Sequence, residues 1–319
     1  MKNSYLPEGS LLGTPENQEY ISSISGLEKA FLEGKILEST VSFCDSAFRL
    51  HIDLGETLGI MDKEETLFCR EGEYPKDIAI ITRVGKPIAF KVIGFRRENG
   101  VICAVLSRRK AQEECHAAFL STLRTGDIIP AKVTHLESFG AFVDVGCGLS
   151  SLLTVDSISV SRISHPRDRL CVGEEIFVIV KSRDEQNGRI YVSMKELLGT
   201  WEENAREFEV GQTVPGIVRS IENYGVFIEL APNLAGLAEI RPDSRDSEIA
   251  KVGARTAVYI KSILPDRMKI KLVLIDTYRG ITPHNSHRYF IDCESTTHLS
   301  RWVYSPPTSA KLVETVFDN

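Results

Sequence analysis

The chain has 319 residues, of which 42% are hydrophobic and 26% are charged, and its formal net charge is −6. This length predicts two or three domains, and the composition is ordinary for a soluble globular protein. There is no run of about 18 or more apolar residues, and the polar N-terminus lacks the apolar stretch of a secretory signal. We therefore expect no membrane span and a cytoplasmic location.

Seven cysteines are scattered along the chain, and none belongs to a CxxC pair or to a Cys/His cluster with zinc-ligand spacing. We interpret them as reduced thiols that behave as small hydrophobic residues, and we expect no metal site. The acidic excess lies in the ends and connectors, because the three repeats described next are close to neutral.

Seven segments follow one another in chain order. Residues 1–33 are predicted to be a flexible N-terminal segment, and residues 34–110 form the first and weakest of three repeats. Helical spacing of apolar residues predicts linking helices at 111–125 and 198–210, from patterns over 108–123 and 195–208. The second repeat covers 126–197 and the third covers 211–280. Residues 281–319 are predicted to be an extended tail that docks through Tyr289, Phe290 and Trp302.

The second and third repeats share one pattern when they are aligned at Gly126 and Gly211: G-x-x-x-P-x-x-V, then aromatic-Gly-x-Phe. Two further alternating apolar segments follow in each repeat, which is typical of half-buried strands. Asn187-Gly188 predicts a tight hairpin. Gly140 and Gly225 lie inside strand patterns and predict bulges or sharp bends that let a small sheet close. Five short strands in about 70 residues predict a five-stranded OB-fold barrel, so the fold class is all-β with linking helices.

The first repeat is a degenerate copy of the same unit. Asn99-Gly100 predicts its hairpin, and Phe48 follows Ser46-Ala47 as Phe142 follows Gly140-Ala141. Asp45 replaces the first aromatic residue. This repeat is therefore expected to keep the fold and to lose much of the binding face.

A ligand of an OB barrel crosses the face of the second and third strands. Phe139 and Phe142, and Tyr224 and Phe227, are candidate platforms on which bases stack. Strand alternation alone would put the two rings of each pair on opposite faces. One ring of each pair could therefore be a core residue, unless a bend brings both rings to the same face. The basic residues expected to meet phosphates are Lys132, Arg189, Arg219, Lys261, Lys269 and Lys271.

These motifs resemble the S1-type RNA-binding domain family. The resemblance rests on Ser138-Phe139-Gly140-Ala141-Phe142 with Val172-Gly173, and on Tyr224-Gly225-Val226-Phe227 with Val252-Gly253. It covers 126–197 and 211–276 well and 34–110 loosely. The whole resembles a short, Firmicutes-style relative of ribosomal protein S1, which implies messenger RNA handling at the small ribosomal subunit.

The resemblance also implies site residues. The two aromatics of each pair match the family, as do Arg189 and Lys269 before the fifth strand. The family histidine after the third strand is replaced by Thr154 in the second repeat and by Glu239 in the third. His135 or His165 could compensate, although lone histidines are more often structural or solvated.

The leading hypothesis is thus single-stranded RNA binding by a monomer without cofactors, and the family resemblance implies that the RNA is mRNA. The alternative is a docking scaffold whose barrels have lost most RNA affinity, with the first barrel contacting the small ribosomal subunit. No nucleotide-binding loop, HExxH motif or carboxylate set for two metal ions occurs in the sequence, so we do not expect an enzyme.

Overall fold

A computed structural model describes residues 5–69, 72–98, 100–184, 188–239, 251–278 and 287–317. Asn99 and Asn187, which carried predictions of hairpins, lie outside the described residues. The chain divides into two compact units. The first contains residues 1–123 with 130–132 and 144–151, and the second contains 124–129, 133–143 and 152–319.

Fifteen of the described strands form three closed barrels. The first barrel contains β1 (Ile36–Cys44), β2 (Leu50–Asp53), β3 (Leu58–Met61), β4 (Pro87–Glu98) and β5 (Val101–Ser107). The second contains β6 (Ile128–Glu137), β7 (Gly140–Asp144), β8 (Ser150–Thr154), β9 (Glu175–Asp184) and β10 (Arg189–Ser193). The third contains β11 (Thr213–Glu222), β12 (Gly225–Ala231), β13 (Leu234–Glu239), β14 (Arg255–Leu264) and β15 (Lys269–Tyr278).

All three barrels have the same circular strand order. It is β1-β2-β3-β5-β4 in the first, β10-β8-β7-β6-β9 in the second and β11-β12-β13-β15-β14 in the third. In each barrel the third and fifth strands run parallel, and the other neighbours with a described register are antiparallel. This order of five strands is that of an OB fold, so the predicted fold class is confirmed.

Two glycines of the repeated motif are required by a close approach of the chain. A side chain at Gly140 would place its Cβ 2.6 Å from the carbonyl oxygen of Leu153, and one at Gly225 would place it 2.7 Å from that of Ala238. Glycine is therefore required by the close approach of the third strand, and at Gly225 the register shows no bulge. The bulges of the third barrel lie elsewhere, at Val218/Ser220 and Glu229/Ala231 on the β11–β12–β13 side.

The N-terminal segment, predicted to be flexible, contains two helices, α1 (Pro15–Ile21) and α2 (Ile24–Glu33). Thr14 caps α1 and precedes Pro15 at its first position, whereas Gly34 ends α2 with φ 65°. A capping threonine followed by proline is a common helix start, and a glycine with positive φ is a common helix end. Leu27 and Ala30 of α2 are buried in the core of the first barrel.

The described residues contain four further α-helices between or within the barrels: α3 (Asp77–Ile81), α4 (Arg108–Cys115), α5 (Val155–Ile158) and α6 (Trp201–Ala205). A π-helical turn over His116–Leu120 continues α4 along the predicted linking segment. α6 begins with a capping box between Thr200 and Glu203. Among the described residues, no helix is both long enough and apolar enough to cross a membrane.

The described part of the C-terminal tail is folded. Residues 301–303 (β16, Arg301–Val303) and 314–316 (β17, Glu314–Val316) form an antiparallel pair. Trp302 and Tyr304 are buried with Trp201 in the core cluster of the third barrel. Trp302, which was predicted to dock the tail, is thus a buried ring of this cluster. Tyr289, also predicted to dock the tail, packs on a second cluster that contains Ile179 and Phe317.

Candidate nucleic-acid interface

Two aromatic rings lie together on the outer face of the second barrel. Phe139 is in the turn before β7 and is 54% exposed, and Phe142 is half-buried on β7 between the buried Ala141 and Val143. The ring centroids are 6.1 Å apart, at an interplanar angle of 90°. Within this edge-to-face pair, more than half of the Phe139 side chain stays accessible to solvent.

The third barrel has the same arrangement. Tyr224 precedes β12 and is 61% exposed, and the half-buried Phe227 lies between the buried Val226 and Ile228. The centroids are again 6.1 Å apart, at 88°. The first ring of each pair lies in the turn, where strand alternation does not apply, so both rings reach one face. We name Phe139–Phe142 and Tyr224–Phe227 the aromatic pairs.

The fifth strand places cations beside the pair of the third barrel. Phe227 lies opposite Leu237 on β13, and Leu237 lies opposite Lys271 on β15. Lys269 is two residues before Lys271 and therefore points to the same side of the sheet, and both are exposed. Phe227, Leu237, Lys271 and Lys269 thus form one continuous outer surface.

The second barrel carries Arg189 and Tyr191 at the corresponding positions. Tyr191 lies opposite Leu152 as Lys271 lies opposite Leu237, and Arg189 is two residues earlier and exposed. Arg189 was predicted from the sequence, whereas Tyr191, a third ring on this outer surface, was not. The signal was present, because Tyr191 alternates with the buried Ile190 and Val192.

A lysine occupies a bulge in the fourth strand of the second barrel and of the third barrel. The register skips Lys181 between Val180 and Ser182, and it skips Lys261 between Ile260 and Ser262. Both lysines are exposed. Lys261 was identified from the sequence and Lys181 was not. Lys181 Nζ donates to Ser157 Oγ at 2.8 Å and lies 3.9 Å from Asp156 Oδ2.

Thr154 and Glu239, which stand in place of the family histidine, have local partners. Thr154 Oγ1 lies 2.9 Å from Ser157 Oγ, and its hydrogen bond to Asp156 holds the pKa of that carboxyl below its usual value. Glu239 Oε1 lies 3.5 Å from Lys271 Nζ in an exposed pair. Glu239 therefore offsets part of the positive charge of the outer surface in the third barrel.

Arg219 and Lys132 differ from the other predicted phosphate contacts. Arg219 occupies the β11 bulge, its side chain is 8% exposed, and its Nε donates to Glu229 Oε2 at 2.6 Å. Lys132 is half-buried and its Nζ donates to the carbonyl oxygen of Glu8 at 3.2 Å. Both cations are engaged by the protein and, unlike the exposed Lys181, are largely shielded from solvent, so we do not include them in the proposed interface.

The two histidines considered as substitutes have different environments. The His135 ring stacks on Phe142 with centroids 6.4 Å apart and an interplanar angle of 27°, and its Nε2 lies 2.7 Å from Glu137 Oε1. His165 caps a short helical turn, with its Nδ1 accepting from the N–H of Arg167. His135 thus extends the aromatic surface of the second barrel, and His165 is structural.

Register identifies the corresponding positions of the first barrel. His51 lies opposite Phe43, immediately after a bulge of β1, as Phe227 lies opposite Ser220 after the β11 bulge. His51, not the predicted Phe48, therefore takes the place of Phe227. Phe48 has φ 60° and packs on the barrel core.

The remaining positions of the first barrel are apolar. His51 lies opposite Ile60, and Ile60 lies opposite Val105, so Val105 and Cys103 take the places of Lys271 and Lys269. Ile60 and Cys103 are buried. Ile93 occupies the bulge that holds lysine in the other two barrels. At these positions the first barrel has none of the cations found in the third barrel. Its aromatic contact on this surface is the one between Phe43 and His51.

Asp45 supports that contact. The Phe43 and His51 rings stack with centroids 4.3 Å apart and an interplanar angle of 7°, and His51 Nε2 lies 3.0 Å from Asp45 Oδ2. Burial opposes ionisation of Asp45, but hydrogen bonds from His51 and Arg49 outweigh it and hold its pKa well below the usual value. Asp45 is thus a hydrogen-bond acceptor behind the rings and not a replacement for one of them.

Clusters suited to a metal ion are absent from the residues that the structure describes. The groups exposed on the outer surface of the second and third barrels include aromatic rings, hydroxyl groups and cations. These are groups that bind bases and phosphates.

Comparison with known proteins finds a family match over the second barrel. Residues 122–195 match the family model described as "S1 RNA binding domain". The chain is similar to the small ribosomal subunit protein bS1 of Staphylococcus aureus (strain COL), with 31% identity over 198 residues, covering 59% of this chain and 50% of that protein. It is also similar to bS1 of Staphylococcus epidermidis, with 33% identity over 199 residues and the same two coverages.

The chain thus spans about half the length of the curated relatives it matches. Among solved structures, it is similar to GSP13 from Bacillus subtilis, with 28% identity, coverage of 23% of this chain and 57% of that chain, and a TM-score of 0.22.

Proposed function

We propose that this chain, which contains an S1 RNA-binding domain, binds single-stranded RNA through its second and third barrels. The observation that carries the proposal is the recurrence of one arrangement: an aromatic pair next to Arg189 in the second barrel and next to Lys269 and Lys271 in the third. The interface consists of Phe139, Phe142, Tyr191, Arg189 and Lys181, and of Tyr224, Phe227, Lys261, Lys269 and Lys271, with Thr154 at the edge of the former.

Single strands fit this surface better than duplexes. Bases in a duplex are stacked on each other, whereas a single strand can place a base on the open ring of Phe139 or Tyr224. Each such contact contributes about 1–3 kcal/mol and tolerates any base. The small number of cations predicts few phosphate contacts and therefore a shallow dependence of affinity on salt.

Similarity to bS1 supports a role in translation, at or near the small ribosomal subunit, with mRNA as the RNA bound. We further propose a monomer that acts in the cytoplasm without catalytic activity. Incubation of the protein with labelled RNA and Mg²⁺ should leave the RNA intact, and cleavage would contradict a pure binding role.

The first experiment is a fluorescence-anisotropy titration with single-stranded RNA, duplex RNA and single-stranded DNA of one sequence across a salt series. The proposal predicts micromolar or tighter binding to single-stranded RNA and weaker binding to the duplex. The absence of binding to every nucleic acid at low salt would reject it.

A second candidate function is protein docking by the first barrel. Its supporting observation is an apolar concavity of about 480 Å³ that includes Phe43, Phe48, Ile81 and Val84. Phe43 is 50% exposed, and Ile81 and Val84 are also exposed. The full-length chain with Phe43→Asp and Ile81→Asp should then recover fewer small ribosomal subunits in a pull-down than the unchanged chain. Equal recovery would remove this candidate.

A further inference from the structure

The described C-terminal residues, 287–317, contact residues of the second unit that belong to the second and third barrels. We infer that this segment clamps the second and third barrels into one rigid body, so that their aromatic pairs bind a single RNA strand together. The inference rests on the proposed RNA binding and adds to it a partner of defined form, which is one continuous strand long enough to occupy both barrels. We name residues 287–317 the clamp.

The clamp pairs with the start of the second barrel. The N–H of Ile128 donates to the carbonyl oxygen of Thr297, and the N–H of Leu299 donates to that of Gly126, both at 2.9 Å. His298 Nδ1 lies 2.8 Å from Asp127 Oδ1. These backbone bonds extend the barrel's hydrogen-bonded edge into the clamp, so the two cannot separate without losing them.

Apolar packing holds the same side. Phe317 is buried with Ile128, Ile179 and Leu197, and Leu299 packs on this cluster. Burying a side chain of the size of phenylalanine is among the larger single contributions in a core. In addition, the N–H of Phe177 donates to the Tyr289 hydroxyl at 2.9 Å.

The clamp also belongs to the third barrel. Trp302 and Tyr304 are buried in the cluster that contains Val226 and Ile228 of β12. Tyr304 Oη donates to the carbonyl oxygen of Asn233 at 2.8 Å, and the N–H of Trp201 donates to that of Tyr304 at 3.0 Å. Leu299 packs on this cluster as well as on that of the second barrel. One short segment therefore shares a core with each barrel.

Direct contacts between the two barrels supplement the clamp. Arg169, between β8 and β9, makes a buried two-point ion pair with Glu229 of β12, with NH1 2.7 Å from Oε1. The N–H of Ser161 donates to the carbonyl oxygen of Pro232 at 3.0 Å, and the N–H of Val160 donates to Asn233 Oδ1 at 2.9 Å. Buried, paired charges and backbone bonds fix orientation more strictly than apolar contact alone.

The aromatic pairs remain outside these contacts. The clamp touches the start of β6, β9 and the turn after β10, and none of the contacts given above involves Phe139, Phe142 or Arg189. When two weak sites are held at fixed spacing, binding at one raises the effective concentration of the same strand at the other. A strand that reaches both barrels should therefore bind much more tightly than one that fills a single barrel.

The test compares two oligouridylates, one of about 6 nucleotides and one of about 30, because one OB fold covers roughly 4–16 nucleotides. The unclamped variant is Arg169→Met with His298→Ala and Phe317→Ala. Arg169→Met leaves Glu229 paired with Arg219, so no buried carboxylate is abandoned. The control is Arg301→Ala, which removes an exposed pair with Glu314 inside the clamp.

Wild-type protein should bind the long RNA at least about tenfold more tightly than the short one. The unclamped variant should lose about tenfold for the long RNA and nothing for the short one, and Arg301→Ala should match wild type. Faster amide exchange at Leu299 verifies that the clamp has opened. If the triple variant does not fold, Thr125→Ala with His298→Ala takes its place, because it removes the hydrogen bonds to Phe317 and Asp127 and leaves the buried Phe317 ring intact.

Faster exchange at Leu299 with unchanged affinity for the long RNA would overturn the inference. So would equal affinity of the wild-type protein for both lengths. Failure of wild type to bind either length rejects the proposed function instead. In that case amide exchange judges the clamp alone: protection of Ile128 and Leu299 comparable to that of the barrel core supports it, and rapid exchange contradicts it.

Discussion

The first and third barrels have the same strand order and corresponding bulges, yet their outer surfaces differ at nearly every corresponding position. Where the third barrel has Phe227, Lys271 and Lys269, the first has His51, Val105 and Cys103. The inward residues of both are apolar and buried. The comparison teaches that inward alternation and bulges are sufficient for the fold, whereas the proposed RNA binding depends on a small number of outward positions that can change independently.

The largest expected effect concerns a buried carboxylate. Glu229 follows Ile228 as Asp53 follows Ile52, but Glu229 is buried between Arg169 and Arg219, and Asp53 is exposed. Glu229→Ala leaves the buried Arg169 without its carboxylate and Arg219 with Asp168 alone, and it should lower the free energy of unfolding of the second unit by about 3–5 kcal/mol. Asp53→Ala, the matched control, should change stability little. Thermal unfolding measures both, and equal small effects would contradict the contrast.

Removing the exposed ring from each aromatic pair should have the next largest effect. Phe139→Ala with Tyr224→Ala should weaken single-stranded RNA binding by about 1–3 kcal/mol for each ring, because each loses one stacked base. Thermal stability should remain nearly unchanged, since both rings are exposed. Phe43→Ala in the first barrel is the matched control and should leave affinity intact. Retained affinity in the double variant would reject the assigned platform.

Much of this arrangement follows from the sequence. The Gly126 and Gly211 repeats predicted the barrels, and the aromatic-Gly-x-Phe motif predicted both aromatic pairs. Phe142 and Phe227 remained undecided, because the conformation of the turn before the strand decides whether alternation separates the rings. The structure joins them in one edge-to-face pair in each barrel.

Bulges explain most of the remaining differences. Lys181 and Arg219 each occupy a position that the register skips, so a strand pattern does not indicate where their side chains point. Assignment of Phe48 failed because a motif alignment cannot show that the turn of the first barrel differs in conformation. The helices α1 and α2 were missed although Thr14-Pro15 and Gly34 signalled them, since both are short and follow a polar segment.

Buried carboxylates of the two units should respond to pH in opposite directions. Burial raises the pKa of Glu38 to about 7, despite hydrogen bonds from the N–H groups of Leu11 and Gly9. For Glu229, burial acts in the same direction, but Arg169 and Arg219 outweigh it and the pKa is lowered. Glu38 therefore makes the first unit less stable as pH rises from its unfolded value near 4.5 to about 7.

Glu38→Gln should remove this loss of stability of the first unit, which is on the order of 1 kcal/mol per pH unit between the unfolded and folded pKa values of Glu38. Glutamine retains an oxygen that accepts from Gly9 and Leu11, so the N-terminal segment keeps its anchor. Amide exchange of β1 in increasing urea, repeated across the window, provides the stability of the first unit. The exposed Glu56→Gln is the control, and an unaltered pH slope in Glu38→Gln would show that another group causes it.

The smallest effect concerns the charge next to Lys271. Glu239→Gln removes a carboxylate 3.5 Å from the Lys271 ammonium and should tighten RNA binding by about 0.2–1 kcal/mol at low salt, the range for exposed pairs. The gain should disappear at high salt. Glu222→Gln, an exposed carboxylate at the end of β11, should not change affinity. Titrations at two salt concentrations distinguish the variants, and weaker binding by Glu239→Gln would show that the carboxylate itself contacts RNA.

The central claim is that the second and third barrels bind RNA and the first does not. Photo-crosslinking of 4-thiouridine RNA to the full chain, followed by mass spectrometry of the adducts, tests it residue by residue. We predict adducts at Phe139, Phe142 or Tyr191 and at Tyr224 or Phe227, and none at Phe43 or His51. Adducts confined to the first barrel would contradict the account.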